Sequence, residues 1–104
     1  MPDCPVPGPA LNAALSKLLG RKHTPDFCGD NAMSFYLLVG MVKRGYCVTT
    51  IDRAGDTTQV WFAHPDAETC YAGRAGVKDE DSQALRHALA MAAWRTLNAQ
   101  EAKS

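Results

Sequence analysis

The chain has 104 residues and a mass of 11.2 kDa, which is the size of one domain. Hydrophobic residues make up 46% and charged residues 21%, so the composition excludes an intrinsically disordered chain. The 11 basic and 11 acidic residues leave no net charge, which excludes the overall basic balance of a dedicated nucleic-acid binder. No segment approaches the roughly 20 apolar residues of a membrane span, and the first residues do not resemble a secretory signal. We therefore expect a cytosolic protein without membrane contact.

The N-terminal region predicts a flexible arm followed by a short helix. Four prolines within residues 1–9 favour an extended arm. Apolar residues then recur at helical spacing up to Gly20, which suits the position after a helix end. The helix has about three turns and must dock its leucines to be stable. Its predicted docking face consists of Leu11, Ala14, Leu15, Leu18 and Leu19.

A second helix is predicted over residues 30–44. Asp30 is the favoured N-cap, with Asp26 as the alternative, and Gly45 ends the helix. Its apolar residues surround nearly the whole helix axis, which is typical of a helix buried on more than one side. We expect a sheet and the first helix to cover it.

Three strands should follow. Residues 46–53 and 57–63 are rich in β-branched and aromatic residues and are joined by a turn at 54–56, which predicts an antiparallel hairpin. Val60 and Phe62 share one face of the second strand, and Gln59 and Trp61 share the other. After a turn at 64–68, residues 69–74 are predicted to form a shorter third strand.

A last helix is predicted over residues 80–98, with Asp79, Glu80 and Asp81 supplying negative charge at its start. Its expected core face consists of Leu85, Ala88, Leu89, Ala92 and Thr96. The predicted fold is therefore α+β, with a three-stranded antiparallel sheet layered with helices in the order α-α-β-β-β-α. The domain covers residues 10–98, between the arm at 1–9 and a polar tail at 99–104.

The spacing of the cysteines and histidines does not indicate a metal site. No pair among Cys4, Cys28, Cys47 and Cys70 has the short separation of a zinc ligand pair. Cys47 and Cys70 lie in apolar strands, so we expect both to be buried. Cys28 precedes a helix, where a reactive thiolate is the less favoured alternative.

Catalytic motifs are also not recognisable. No serine lies in a GxSxG sequence, and the glycines do not form GxGxxG or GxxxxGK. Asp52, Asp56 and Asp66 show no spacing that would pair an acid with a base. We expect neither enzymatic activity nor a cofactor.

Two sets of residues are candidates for partner binding. His87, Met91 and Trp94 form one row on the last helix, which predicts either an exposed protein-binding patch or a row covered by the first helix or the arm. Trp61 lies on a strand whose face is either open or packed. Either aromatic patch alternatively forms a homodimer interface.

A nucleic-acid interface is the alternative to protein binding. Its candidate contacts are five basic residues near helix ends and on a strand, although helix-dipole complementation also explains most of them. These residues are Arg21, Lys22, Lys43, Arg44 and Arg53.

The order of local motifs resembles that of the phage ABA-sandwich domain family. Four segments carry the resemblance: the opening helix at 8–20, Pro25-Asp-Phe-Cys-Gly-Asp30, Gly45-Tyr46-Cys47-Val48 and Tyr71-Ala-Gly-Arg-Ala75. An alanine-rich last helix follows them. Cys28 stands where a serine is common in the family, and the Pro-rich start is a second departure.

The resemblance covers about residues 8–98. It implies a phage or prophage origin and a helix–sheet–helix layering, but it brings no set of catalytic residues. We therefore expect a non-catalytic phage accessory protein that binds a host or phage protein, for example to inhibit a host antiviral defence complex such as a CRISPR effector. The alternative is a small nucleic-acid-binding regulator.

Overall fold

The computed structural model describes residues 4–54, 57–63, 74–78 and 82–103, with side chains at all of these except 49–54, 74–78, 82 and 100–103. The described chain confirms the predicted α+β class. Its elements in chain order are α1 (Pro9–Leu18), α2 (Asn31–Lys43), β1 (Cys47–Ala54), β2 (Thr57–Ala63), β3 (Arg74–Lys78) and α3 (Ser82–Lys103).

The helix ends follow the local chemistry of the sequence. The Asp30 side chain accepts hydrogen bonds from the backbone N–H groups of Ala32 and Met33, which confirms it as the N-cap of α2. Gly20 and Gly45 take positive φ angles of 69° and 94° just after α1 and α2, a conformation that glycine adopts without steric cost.

The sheet is antiparallel and has the strand order β1-β2-β3. The predicted pairing of the first two strands is confirmed, and β3 pairs with the other edge of β2. A shift in register after Val48 places Ile51 opposite Val60, while Val48 itself lies opposite Phe62. Such a bulge lets Val48 and Ile51 pair with Phe62 and Val60, which are both fully buried.

The third strand lies later in the chain than the sequence predicts. Of the predicted strand at 69–74, residues 69–73 lie outside the described residues, and β3 runs from Arg74 to Lys78. The predicted turn at 54–56 is wrong at Ala54, which is the last residue of β1, and its other two residues lie outside the described residues. The predicted turn at 64–68 and the acidic residues 79–81 also lie outside them.

The central element of the molecule is α3, since its contacts reach β2 and β3 on one side and α1 and α2 on the other. Alanines line much of its buried surface, and small side chains let neighbouring backbones approach closely. The layers are therefore sheet, α3, and then α1 with α2, which differs from the helix–sheet–helix order implied by the resemblance. The buried residues of α3 include Ala84, Ala88, Ala90, Ala92, Ala93, Trp94, Thr96 and Leu97.

Two expectations about burial are wrong. Leu85 was expected in the core face of the last helix but is 39% exposed. α2 was expected to be covered on several sides, yet only Ser34, Leu37 and Met41 of this helix are buried. The reason is that α3 occupies the position against the sheet, so α2 has one packed side, which faces α3.

Both chain ends depart in part from the predicted boundaries. α1 begins at Pro9, and before it Cys4 packs against the hydrophobic core. The predicted tail at 99–104 is wrong for residues 99–103, because α3 continues to Lys103. No glycine or proline occurs there to stop a helix, and Ala, Gln, Glu and Lys all favour one. Within the described residues, no helix has both the length and the apolar content that a membrane crossing requires.

Candidate protein-binding surface

One side of α2 presents large apolar side chains to solvent. Phe35 is 63% exposed, Tyr36 54% and Val42 56%. Their exposure follows from the packing of α2, since the opposite side of the helix, which carries Leu37 and Met41, faces the core. Monomeric proteins seldom expose a contiguous group of such side chains unless it contacts another molecule.

A shallow groove lies beside this exposed side, between α2, the start of β1 and α3. Its volume is about 190 Å³, which is below the roughly 300–1,000 Å³ of a typical small-molecule site. We call it the α2–α3 groove. It is lined by Asn31, Ser34, Phe35, Leu38, Val48, Leu85, Arg86 and Leu89.

Most of the groove lining is apolar, and its main polar group is already engaged. The Arg86 guanidinium donates through Nε to the carbonyl of Cys28 at 3.3 Å and through Nη1 to Oδ1 of Asn31 at 2.6 Å. These bonds fix the start of α2 against α3. The groove can therefore accept an apolar side chain of a partner but offers few polar groups for orienting a substrate.

The residues proposed for partner binding from the sequence do not form one exposed surface in the structure. Trp94 is only 7% exposed, so the expectation of an exposed indole is wrong and the covered alternative holds for this residue. It belongs to the same hydrophobic cluster as Leu11 and Leu15 of α1. His87 and Met91 are half-buried, and His87 Nε2 lies 3.4 Å from the side-chain nitrogen of Gln83.

Trp61 lies away from the helical layers. Val60 and Phe62 are fully buried and alternate with half-buried Gln59 and Trp61, as expected for a strand with one covered face. Trp61 is therefore on the face of β2 opposite to the one that carries the core, and it does not join His87 and Met91 in one surface.

Four of the five basic candidates come together at one end of the molecule. Arg21 and Lys22 follow α1, and Lys43 and Arg44 end α2; all four are exposed. The Arg44 Nη2 group donates to the carbonyl of Leu19 at 3.5 Å, which connects the two helix ends. The side chain of Arg53 lies outside the described residues.

The cysteine side chains do not all have the exposure that the sequence predicts. Cys47 is exposed, so its predicted burial is wrong, and its Sγ donates to the carbonyl of Ala63 at 3.4 Å. Cys70 lies outside the described residues. Burial raises the pKa of the Cys28 thiol, which disfavours a reactive thiolate there. Among the described residues, no three His, Cys, Asp or Glu side chains are grouped as metal ligands would be.

Sequence reasoning missed the exposed side of α2 because it expected the sheet and the first helix to cover this helix, whereas α2 packs mainly on α3. The spacing of Ala32, Phe35, Val39 and Val42 is alternately three and four residues. That spacing is typical of a helix that packs against another helix, and it was the available signal.

Comparisons with family models, with curated proteins and with solved structures find no match to this chain.

Proposed function

We propose that this protein acts by binding another protein, and that the α2–α3 groove and the exposed side of α2 receive the partner. The observation that carries this proposal is the exposure of Phe35, Tyr36 and Val42 on α2, where Phe35 also lines an apolar groove. Aromatic residues are enriched at protein interfaces, and a groove between helices is a common receptor for an apolar anchor side chain.

The resemblance to phage proteins extends this proposal to the class of partner. We propose a host or phage protein in the bacterial cytosol, and a component of an antiviral defence complex is the proposed example. The chemistry of the groove favours a partner segment that presents one large apolar side chain with flanking apolar contacts.

The test compares the wild-type protein with a groove variant in an affinity purification from the bacterial host, followed by quantitative mass spectrometry. Leu85→Glu places a charge at the groove rim, where the side chain is 39% exposed, so the fold should survive. Lys17→Glu is the matched control, since Lys17 is exposed on α1 and away from the groove lining.

We expect a protein that wild type and Lys17→Glu recover equally and that Leu85→Glu loses at least about tenfold, which corresponds to about 1.4 kcal/mol of binding free energy. Circular dichroism of Leu85→Glu must match wild type. Equal recovery of every protein by the folded groove variant would show that the groove does not bind the partner.

Nucleic-acid binding is the second candidate, because the contact between Arg44 and Leu19 groups four exposed cations at one end. Binding of a labelled duplex or single strand, measured by fluorescence anisotropy at low and moderate salt, tests it. Phosphate-driven binding would weaken steeply with salt and with Lys43→Glu, but would not respond to Leu85→Glu. Protein binding in the groove should show the opposite dependence.

A further inference from the structure

We propose that Cys4 and Cys28 are a site of reversible thiol oxidation, at which a low-molecular-weight disulfide converts the two thiols into one intramolecular disulfide bond. Cys4 lies in the arm before α1, and Cys28 lies in the loop before α2. Both thiols are free in the structure. Neither residue lines the α2–α3 groove, so the inference does not rest on the proposed function.

The loop before α2 holds Cys28 beside the start of α1. The backbone N–H of Cys28 donates to Oδ1 of Asn12, at 3.1 Å, and Asn12 lies in the first turn of α1. The backbone N–H of Gly8, which is the N-cap residue of α1, donates to the Cys28 sulfur. Cys28 is 2% exposed and belongs to the hydrophobic core. Its thiol is therefore buried at the point where the arm enters α1.

The arm brings Cys4 to the same part of the core. Cys4 is half-buried and packs against the hydrophobic cluster to which Cys28 belongs. Cys4 and Gly8 are four positions apart, which four extended residues span in at most about 14 Å. The bond from Gly8 to Cys28 therefore limits the separation of the two thiols. The Cys28 thiol also raises the pKa of Cys4 electrostatically, an effect that requires the two groups to be neighbours.

The difference in exposure between the two thiols sets the order of the reaction, because only Cys4 is partly accessible to an oxidant. The Cys4 thiolate attacks one sulfur of oxidised glutathione, and the first glutathione leaves as a thiol with the proton of Cys4. The Cys28 sulfur then attacks the Cys4 sulfur of this mixed disulfide, and the second glutathione leaves with the proton of Cys28. Two protein thiols are thus oxidised while one glutathione disulfide is reduced to two thiols.

The bond would fix the arm to the loop that places α2. Residues 4–6 have no regular secondary structure, so this part of the arm can adjust to the geometry that a disulfide requires. The two cysteines are 24 positions apart. Joining them lowers the entropy of the unfolded chain, and we expect the oxidised protein to melt at least about 5 °C above the reduced one.

The test treats the reduced full-length protein with oxidised glutathione, blocks the remaining thiols with iodoacetamide, and maps the tryptic peptides without reduction. Cleavage after Lys17 and Lys22 separates Cys4 from Cys28, so a bond between them joins two peptides. We expect this linked pair and an intact mass lower by about 2 Da before alkylation. Treatment in denaturing urea should also link other cysteines, since only the folded chain holds Cys4 beside Cys28.

Three variants assign the two steps. Cys47→Ser, which removes an exposed thiol, should still give the linked peptides. Cys4→Ser should give neither the linked peptides nor the rise in melting temperature. Cys28→Ala should stop at the first step and keep glutathione on Cys4.

Several results would overturn the proposal. Wild-type protein that keeps glutathione on Cys4 without forming the linked peptides would show that the two sulfurs do not meet. A bond from Cys4 or Cys28 to Cys47, to Cys70 or to a second chain would contradict the pairing. Recovery of both Cys4 and Cys28 as alkylated thiols would show that the site is not oxidised.

Discussion

The side-chain amide of Asn12 on α1 donates through Nδ2 to Oδ1 of Asp26, at 2.9 Å, across the loop between α1 and α2. Asn12 also accepts the backbone N–H of Cys28 through Oδ1 at 3.1 Å, and Asp26 accepts that of Gly29 at 3.0 Å. Arg86 holds the same loop from the side of α3. The loop that places α2, and with it the groove, is thus tied to two other helices.

Asn12→Ala should lower the free energy of unfolding by about 1–3 kcal/mol, because it leaves the buried N–H of Cys28 without its acceptor. Urea denaturation followed by circular dichroism measures the loss. The control is Lys17→Ala, since Lys17 is exposed on the same helix and its removal should change stability by no more than about 0.5 kcal/mol. Equal stability of the two variants would mean that the Asn12 bonds contribute little.

Gly29→Ala should destabilise the loop for a steric reason. A Cβ atom at Gly29 would collide with the carboxylate of Asp26, so either the loop or the carboxylate must move. We expect a loss of about 1–3 kcal/mol, as for other overpacked sites. The loss should be smaller in an Asp26→Ala background, where the colliding group is gone, and urea denaturation of all four proteins gives the coupling. Identical losses in both backgrounds would contradict the steric explanation.

Trp94→Ala and Phe35→Ala compare a buried aromatic residue with an exposed one. We expect Trp94→Ala to cost about 3–5 kcal/mol, because the residue belongs to the hydrophobic core. Phe35→Ala should cost no more than about 0.5 kcal/mol. If Trp94→Ala does not fold, Trp94→Phe should fold with an intermediate loss. Comparable losses for the two alanine variants would contradict the burial that separates them.

Local chemistry is the part of the fold that could be predicted from the sequence. Asp30 caps α2 because its carboxylate reaches two backbone N–H groups of the next turn, and this depends on neighbours in the chain alone. The alternation in β2 is equally local, since Val60 and Phe62 can face one layer only while Trp61 faces the other. Such features do not require knowledge of what the rest of the chain does.

The order of the layers could not be predicted in this way. α2 has the larger apolar side chains, yet α3 occupies the central position between the sheet and the other helices. Which helix takes the central position depends on how closely its backbone can approach its neighbours. Small residues such as Ala88 and Ala92 let α3 pack closely on both sides. Apolar content alone would favour α2 for the centre. The candidate site arises because α3 takes the central position, which leaves α2 as the outer helix with Phe35 and Val42 exposed.

Alkaline pH should destabilise the protein through its buried thiols. Burial raises the pKa of the Cys28 thiol, and the Asp26 carboxylate raises it further, against a hydrogen bond from the backbone of Gly8. Burial also raises the pKa of Cys4, although Arg95 opposes this effect. The native state therefore keeps these protons at a pH where the unfolded chain has lost them.

The unfolded state binds fewer protons than the native state above about pH 8.5, the ordinary pKa of a thiol, so the free energy of unfolding should fall as pH rises through that value. Below it, the contribution is fully present. Urea denaturation at several pH values from about 7 to about 10 measures the slope. Cys28→Ala should flatten it. If the Cys28→Ala curve runs parallel to that of wild type, the Cys28 proton does not contribute to stability, because only a group whose pKa differs between the two states can alter the slope.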